Sequence, residues 1–342
     1  MRPLLTETDL EDELSRPTPG VLDTLRNLGG DILVLGAGGK MGPSLARMIR
    51  RGMDELGQQD RTVYAASRFT SPSSMDELKS HGVKTIACDL LDRASVQALP
   101  DAPNVIFMAG QKFGTQAVPE LTWVMNTLVP AIVAERYASS RIVVFSTACV
   151  YPLVPTSGPG SQEDDVLTPP GEYANSCVGR ERIFTHFSQE KGTPVLMFRL
   201  SYAIDLRYGV LHDVASQVMK GEPVDVTMGQ ANVIWQGDAN ARAIQCLERT
   251  SHPPCALNVT GLERVSIRWL AERFSDLLGK EAIITGSEGP NAWLFDASRS
   301  YAWFGPPTVS LEEMVAATAE WVRQGGASLG KPTHFESNDG KF

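Results

Sequence analysis

Residues 31–42 read Asp-Ile-Leu-Val-Leu-Gly-Ala-Gly-Gly-Lys-Met-Gly. An apolar run breaks into glycines and then opens into a helical pattern at Pro43. Such a segment can bind an anion. Glycines at 36, 39 and 42, with Gly38 as an extra, let the backbone turn tightly, approach a pyrophosphate and pack a helix on a sheet. The helix N-terminus then offers unpaired N–H groups and the positive end of its dipole. Gly36, Gly39, Lys40, Met41 and Gly42 are therefore expected to line a dinucleotide. The alternative is a glycine-rich turn without a ligand.

That chemistry needs a strand before the turn and a helix after it. Apolar runs at 31–36, 62–66, 84–88, 104–109, 141–146 and 194–200 alternate with helical patterns at 42–56, 73–80, 93–99, 119–138 and 173–190. Alternation of this kind predicts a parallel, doubly wound α/β sheet of the Rossmann type. Beyond residue 200 the regularity loosens. Helices are expected near 209–220, 238–249, 267–278 and 311–323, with strand-like segments at 223–227, 257–260 and 282–284. The expected division is an N-terminal extension over 1–30, including a short helix at 21–28. A dinucleotide-binding domain follows over 31–200. Residues 201–323 form mainly a smaller substrate-binding lobe, with some elements returning to the large domain. An extended tail covers 324–342. No internal repeat is visible.

The chain of 342 residues can bury a large core. Its net charge of −9, with no long basic run, argues against nucleic-acid or anionic-membrane binding. No stretch approaches the ~20 apolar residues of a membrane span. The acidic start, Thr6–Glu13, lacks an apolar signal region. Five cysteines, Cys88, Cys149, Cys177, Cys246 and Cys255, have no C-x-x-C spacing. Reduced thiols in a cytoplasm fit this better than disulfides, and no metal site is expected.

Several ordered motifs over residues 31–323 resemble the extended short-chain dehydrogenase/reductase family, which holds sugar epimerases and dehydratases. Gly36–Gly42 looks like its glycine turn, and Asp89-Leu90 like the acidic segment that meets adenine. Met108-Ala109-Gly110 matches the fourth-strand segment along the dinucleotide, and Asn126 an asparagine that supports the central helix. Phe145–Tyr151 is similar to the fifth-strand serine/threonine motif, and Tyr173–Cys177 stands where the family has Y-x-x-x-K. Gly237–Ile244 and Val265-Ser266-Ile267 resemble segments of the small lobe. The resemblance implies Tyr173 as acid/base and Thr147 as the hydroxyl that orients the same substrate oxygen. Ser201 and Tyr173 join the expected cofactor contacts. The family's lysine binds the nicotinamide ribose and lowers the tyrosine pKa.

Here the lysine position is Cys177. An unperturbed tyrosine titrates at about pH 10, so about one in a thousand is phenolate at neutral pH, a handicap of ~4 kcal/mol for base catalysis. Carbonyl reduction needs the neutral phenol instead, so the substitution favours a reductase over an epimerase. Arg180 lies two helical turns beyond Tyr173, ~10 Å along the axis, too far for direct contact. Lys112, after the fourth strand, is a candidate to reach inward; the alternative is a solvated loop lysine. Cys149 and Cys177 are either a reactive pair or two inert small residues.

Arg68, after the second strand, stands where NAD-preferring folds place an acid, and a guanidinium there can pair with a 2′-phosphate. NADP is therefore the preferred expectation, with NAD the alternative. Tyr202 and Ala231 replace an asparagine and an arginine that serve the diphosphate in nucleotide-sugar relatives. Thr147-Ala148-Cys149 lacks the Thr-Asp-Glu of the dehydratases. A smaller substrate is expected: a free sugar, a sugar acid or a hydroxy/keto acid. Its candidate contacts are Cys149, Tyr202, Arg207, Tyr208 and His212. His186 and His252 are expected to be structural or solvated, and His81 and His334 carry no signal. The expected protein is a cytoplasmic NAD(P)-dependent oxidoreductase, paired as a homodimer through 119–138 and 173–190. Alternatives are a non-catalytic NADP-binding sensor or scaffold, and an epimerase with a displaced base.

Overall fold

The computed structural model describes residues 4–70, 72–112, 118–331 and 333–340. Its centre is a seven-stranded parallel sheet. The strands are Ile32–Leu35 (β1), Val63–Ser67 (β2), Lys84–Ala87 (β3), Asn104–Phe107 (β4), Arg141–Thr147 (β5), Val195–Leu200 (β6) and Cys255–Val259 (β7). Their spatial order is β7-β6-β5-β4-β1-β2-β3. Both faces are covered, which is why the central strands read as unbroken apolar runs. In β1, Ile32 and Val34 face a core shared with Leu45 and Ile49, whereas Leu33 and Leu35 face one shared with Val129 and Val133. Strand order reverses between β1 and β4, which pair as Leu35 with Phe107. The carboxyl ends at such a switch point open a crevice.

The edge strand β7 is the segment expected at 257–260, returned to the large sheet beside β6. Helix Gln236–Gln245 also returns: Ala239, Ala241 and Ile244 lie in the core that contains β1. Its resemblance to a small-lobe segment misplaced it. The central helix expected at 119–138 is interrupted by a π-turn at Val124–Leu128. Pro130 accounts for this, because it has no N–H to donate to the carbonyl of Asn126 four residues back.

The N-terminal extension holds two helices, Glu7–Leu14 and Pro19–Asn27. The sequence reading missed the first. Thr6 and Asp9 cap it reciprocally, and Thr18 caps the second ahead of Pro19. Leu10 and Leu14 pack in the small-lobe core with Val210, Leu270 and Phe274, while Val21 and Leu25 pack in the large-lobe core. The extension therefore packs into both cores.

The tail, expected to be extended, has neither helix nor strand among its described residues, and it is fastened down. Leu329 N–H donates to the Arg207 carbonyl at 3.0 Å. Thr333 donates from its backbone to Asp213 at 2.8 Å, and Phe335 is buried in the small-lobe core. Two polar anchors and one aromatic ring overcome the flexibility that its Gly- and Ser-rich composition suggested. Among the described residues no helix is long and apolar enough to cross a membrane.

Candidate active site

The glycine turn is set by close approach. Gly36 has φ +84°, and a Cβ there would lie 2.6 Å from the Ala109 nitrogen. Gly38 backs onto Ser67, whose Oγ would be 2.7 Å from an added Cβ. Gly42 fits against the Ala37 backbone, leaving no room for a side chain. The 14-residue helix Gly42–Glu55 then begins at Met41 with no side-chain cap. Gly38 and Gly39 are exposed beside it. An uncapped helix start next to accessible glycine backbone fits a dinucleotide pyrophosphate. Arg68, exposed, and Asp89 follow the ends of β2 and β3. Asp89 accepts the Leu91 N–H at 3.0 Å, and Leu90 beside it is buried.

From this turn a cleft of about 930 Å³ runs across the carboxyl ends of the strands. Met108 and Gly110 line it, while Ala109 is buried against Gly36. Thr147, the last residue of β5, and Tyr173, in the first turn of helix Glu172–Lys191, face each other across it. Tyr173 shares side-chain hydrogen bonds with Thr147 and with Cys177 one turn on. Burial, and then the proximity of Cys177 and Cys149, push the Tyr173 hydroxyl well above its ordinary range. Burial also raises the Cys177 thiol, which is fully enclosed among Tyr151, Trp293 and Phe295. A thiol so held stays protonated and inert.

Lys112 is brought to the same place. Asn126 accepts the Gln111 N–H at 2.9 Å and donates to the Gln111 carbonyl at 3.0 Å. That two-way grip fixes the backbone immediately before Lys112, whose side chain lines the cleft. Burial lowers the Lys112 pKa, and the neighbouring Cys149 and Cys177 oppose the shift. Arg180 contributes from beneath: it donates to Asn126 at 2.6 Å and to the Phe145 carbonyl at 2.7 Å. Its charge reaches Tyr173 and partly offsets the rise there.

Cys149, Ser201, Tyr202 and Tyr208 also line the cleft. Tyr202 has φ +27°, a strained value for a tyrosine. Lys40 crosses from the glycine turn, donates to the Ala203 carbonyl at 3.0 Å and lies 3.9 Å from the Tyr208 ring centroid. Two candidates are corrected. Arg207 is buried and committed to Asp205 and Glu11, at 2.7 and 2.6 Å. It holds the small lobe to the N-terminal helix and does not line the cleft. His212 lines an adjoining cavity, bonded to the Leu206 carbonyl at 2.8 Å and to Ser328 at 3.2 Å. Its burial lowers its pKa.

The sequence reading missed Trp293, Phe295, Leu329, Gly330, Lys331 and His334, all on the cleft wall. Ala292–Phe295 is an apolar run in a segment assigned to no element, and Phe335 is an aromatic in a polar tail; both were available signals. Among the described residues no cluster of His, Cys, Asp or Glu suits a metal ion.

Fold, glycine turn and crevice together define an α/β protein of the dinucleotide-binding class. The chain belongs to the NAD dependent epimerase/dehydratase family, whose profile matches residues 32–231. Its fold is shared with Thermus thermophilus UDP-glucose 4-epimerase in complex with NAD: TM-score 0.68, 19% identity, 87% of this chain and 99% of that one covered. A Bacillus cereus UDP-glucuronic acid 4-epimerase mutant, in complex with NAD and a fluorinated UDP-sugar, gives a TM-score of 0.71 at 19% identity, covering 86% and 99%. Bacillus anthracis dTDP-glucose 4,6-dehydratase with NAD gives 0.71 at 16%, covering 86% and 97%. No curated protein sequence matches the chain.

Proposed function

We propose that this protein is a nicotinamide-dependent oxidoreductase acting on a small carbonyl or polyol, with Tyr173 as proton donor and Thr147 orienting the reacting oxygen. The observation that carries this reading is the Thr147–Tyr173 pair on the cleft wall beside the glycine turn, backed by buried Cys177, with Lys112 lining the same cleft from the end of β4. When bound, a nicotinamide exchanges hydride with the carbon that bears this oxygen. The protein's share is the proton. With its pKa raised, Tyr173 is a neutral phenol at physiological pH, the species that donates to a carbonyl oxygen on reduction. Thr147 holds the Tyr173 hydroxyl in place. Lys112 supplies, from a different strand end, the cation that the family keeps at the position of Cys177.

The gripped loop at Gln111 supports this role for Lys112, because a side chain on a fixed backbone can replace one on a helix. The cofactor proposed is NAD, in line with the family; Arg68 keeps NADP as the alternative. Affinity for both, measured on wild type and Arg68→Ala, separates them: a selective loss of NADP binding identifies a 2′-phosphate contact. We also propose a homodimer through helices 119–136 and 172–191, where Leu121, Trp123 and Leu128 are exposed. A monomer by light scattering overturns that.

Turnover is the main test. Purified protein with each nicotinamide is presented with a panel of sugars, sugar acids and hydroxy or keto acids. Reduction is expected to exceed oxidation at neutral pH. Lys112→Met is expected to cost about 10- to 100-fold in kcat, the scale of a lost charge-assisted contact. No turnover on any member of the panel leaves the non-catalytic sensor as the better reading.

A further inference from the structure

The chain carries 40 acidic and 31 basic residues, yet its main cleft shows the opposite bias. Among the described residues the ionisable lining consists of Lys40, Lys112, Lys331 and His334, with one cysteine and three tyrosines but no Asp or Glu. The nearby acids are engaged elsewhere. Asp205 is paired with Arg207 at 2.7 Å. Asp213 accepts two hydrogen bonds from Thr333, the backbone one at 2.8 Å. Glu336 lies 3.5 Å from His334 and faces the adjoining cavity.

Lys40 is the most informative of the four. It belongs to the glycine turn, but its ammonium lies against the opposite wall, on the Ala203 carbonyl and over Tyr208. That wall is the loop after β6, with strained Tyr202 in it. An ammonium has three donors, and one carbonyl with one ring face satisfies it poorly. Burial takes its pKa down to about 7, against the pull of Asp205 and Asp213 and with the push of Lys112 and Arg207. A lysine held this way has a strong reason to accept an anion. Lys331, exposed at the rim on the fastened tail, stands to meet the same ligand from above.

We propose that the substrate of this cleft is a small organic acid and that Lys40 is the residue that selects its carboxylate. The inference rests on the oxidoreductase reading above and names the substrate class within it. A guanidinium fork, which grips carboxylate or phosphate with two parallel bonds, is missing from the described lining; Lys40 offers one ammonium on an aromatic face, enough for a charge-assisted hydrogen bond to a single carboxylate, and the phosphate arm of the test separates the two anions. A carboxylate restores the charged form of Lys40, so acid binding at pH 8 draws a proton from solution.

The test uses the full chain saturated with NAD. Gluconate is compared with glucose, and glycerate with glycerol and glycerol phosphate, at millimolar concentration by calorimetry and thermal shift. Acids are expected to bind and neutral partners not. Lys40→Met is expected to weaken acid binding about 10- to 100-fold, as for one charge-assisted hydrogen bond. It should also abolish proton uptake, with any loss of NAD affinity far smaller than the loss of acid affinity. Lys40→Arg, which keeps the charge, guards against a folding defect and should retain acid binding. Equal binding of neutral partners, preference for the phosphate, an equal loss of NAD affinity in Lys40→Met, or no acid binding at all overturns the proposal. Binding is read without turnover. Acids that bind through Lys40 without hydride transfer sink only the oxidoreductase reading. A neutral polyol turned over by Lys40→Met sinks only this one.

Discussion

The two halves of the cleft are built on different terms. The half over β1 comes from one short stretch, Gly36–Gly42, closed by the neighbouring Ala109 segment. It works through backbone, and its shape depends on side chains being absent. The half toward the small lobe is assembled from Thr147, Cys149, Tyr173, Tyr202, Tyr208, Trp293 and Phe295, with Lys331 and His334 from the tail. It works through side chains delivered by distant segments. A local backbone device tolerates little change. A composite side-chain wall can be rewritten residue by residue.

The largest expected effect falls where the halves meet. Tyr173→Phe removes the proposed proton donor and should lower turnover by about 10²- to 10⁴-fold, the usual worth of a positioned acid. NAD affinity should stay the same, since the glycine turn is untouched. An unchanged rate would move the chemistry off Tyr173 altogether.

Next comes the frame beneath both halves. Arg199 on β6 pairs with Glu181 at 2.7 Å, with both side chains buried. Ser146, beside Thr147, donates to the same carboxylate at 2.6 Å. Arg199→Met leaves Glu181 as an uncompensated buried charge and should cost about 3–5 kcal/mol in chemical denaturation. A loss under about 1 kcal/mol would mean that solvent reaches the pair.

Gly36→Ala probes the backbone half alone. It forces a side chain into positive φ and toward the Ala109 nitrogen. A cost of about 1–3 kcal/mol is expected, together with weaker NAD binding. If stability falls while NAD affinity is retained, the turn is structural and not the cofactor cradle.

The same contrast explains what could be read from the chain. β1, the glycine turn and its helix were legible because strand, turn and cap occupy consecutive residues. The parallel, doubly wound sheet followed from alternation, while its strand order came only with the structure. Tyr173 and Thr147 were legible through motif spacing. Arg207 and His212 misled: the loop after β6 does bring Tyr202 and Tyr208 to the cleft, but Arg207 turns to Asp205 and Glu11, and His212 lies on the helix Val210–Lys220 with its ring on Leu206 and Ser328. Sequence gives a loop's place more readily than its side-chain directions. Trp293 was missed although its apolar run was there to read, whereas Lys331 and His334 were not legible, since their places depend on contacts with segments far away in the chain. The tail is the clearest case: its composition says flexible, and Asp213 and the small-lobe core hold it down.

The smallest expected effect concerns Lys40 in the free protein. Its pKa is about 7 in the fold and returns to the ordinary value of 10.5 when the chain unfolds. Between those values the unfolded chain binds more protons than the folded one, so stability rises with pH across that window. Below the window both states are charged, and the full cost of burying the ammonium is present. Lys40→Met removes that cost. The variant should therefore melt higher than wild type at pH 6, with the gap closing as pH approaches 9 or above. Because the side chain is only half-buried by exposure, a shift of a few degrees is the scale to look for, about 1 kcal/mol or less. A saturating acid should reverse the order at low pH, since the wild-type ammonium then has its partner and the methionine does not. A gap that is constant with pH would show that Lys40 keeps an ordinary pKa, and that the two halves of the cleft are not coupled through its charge.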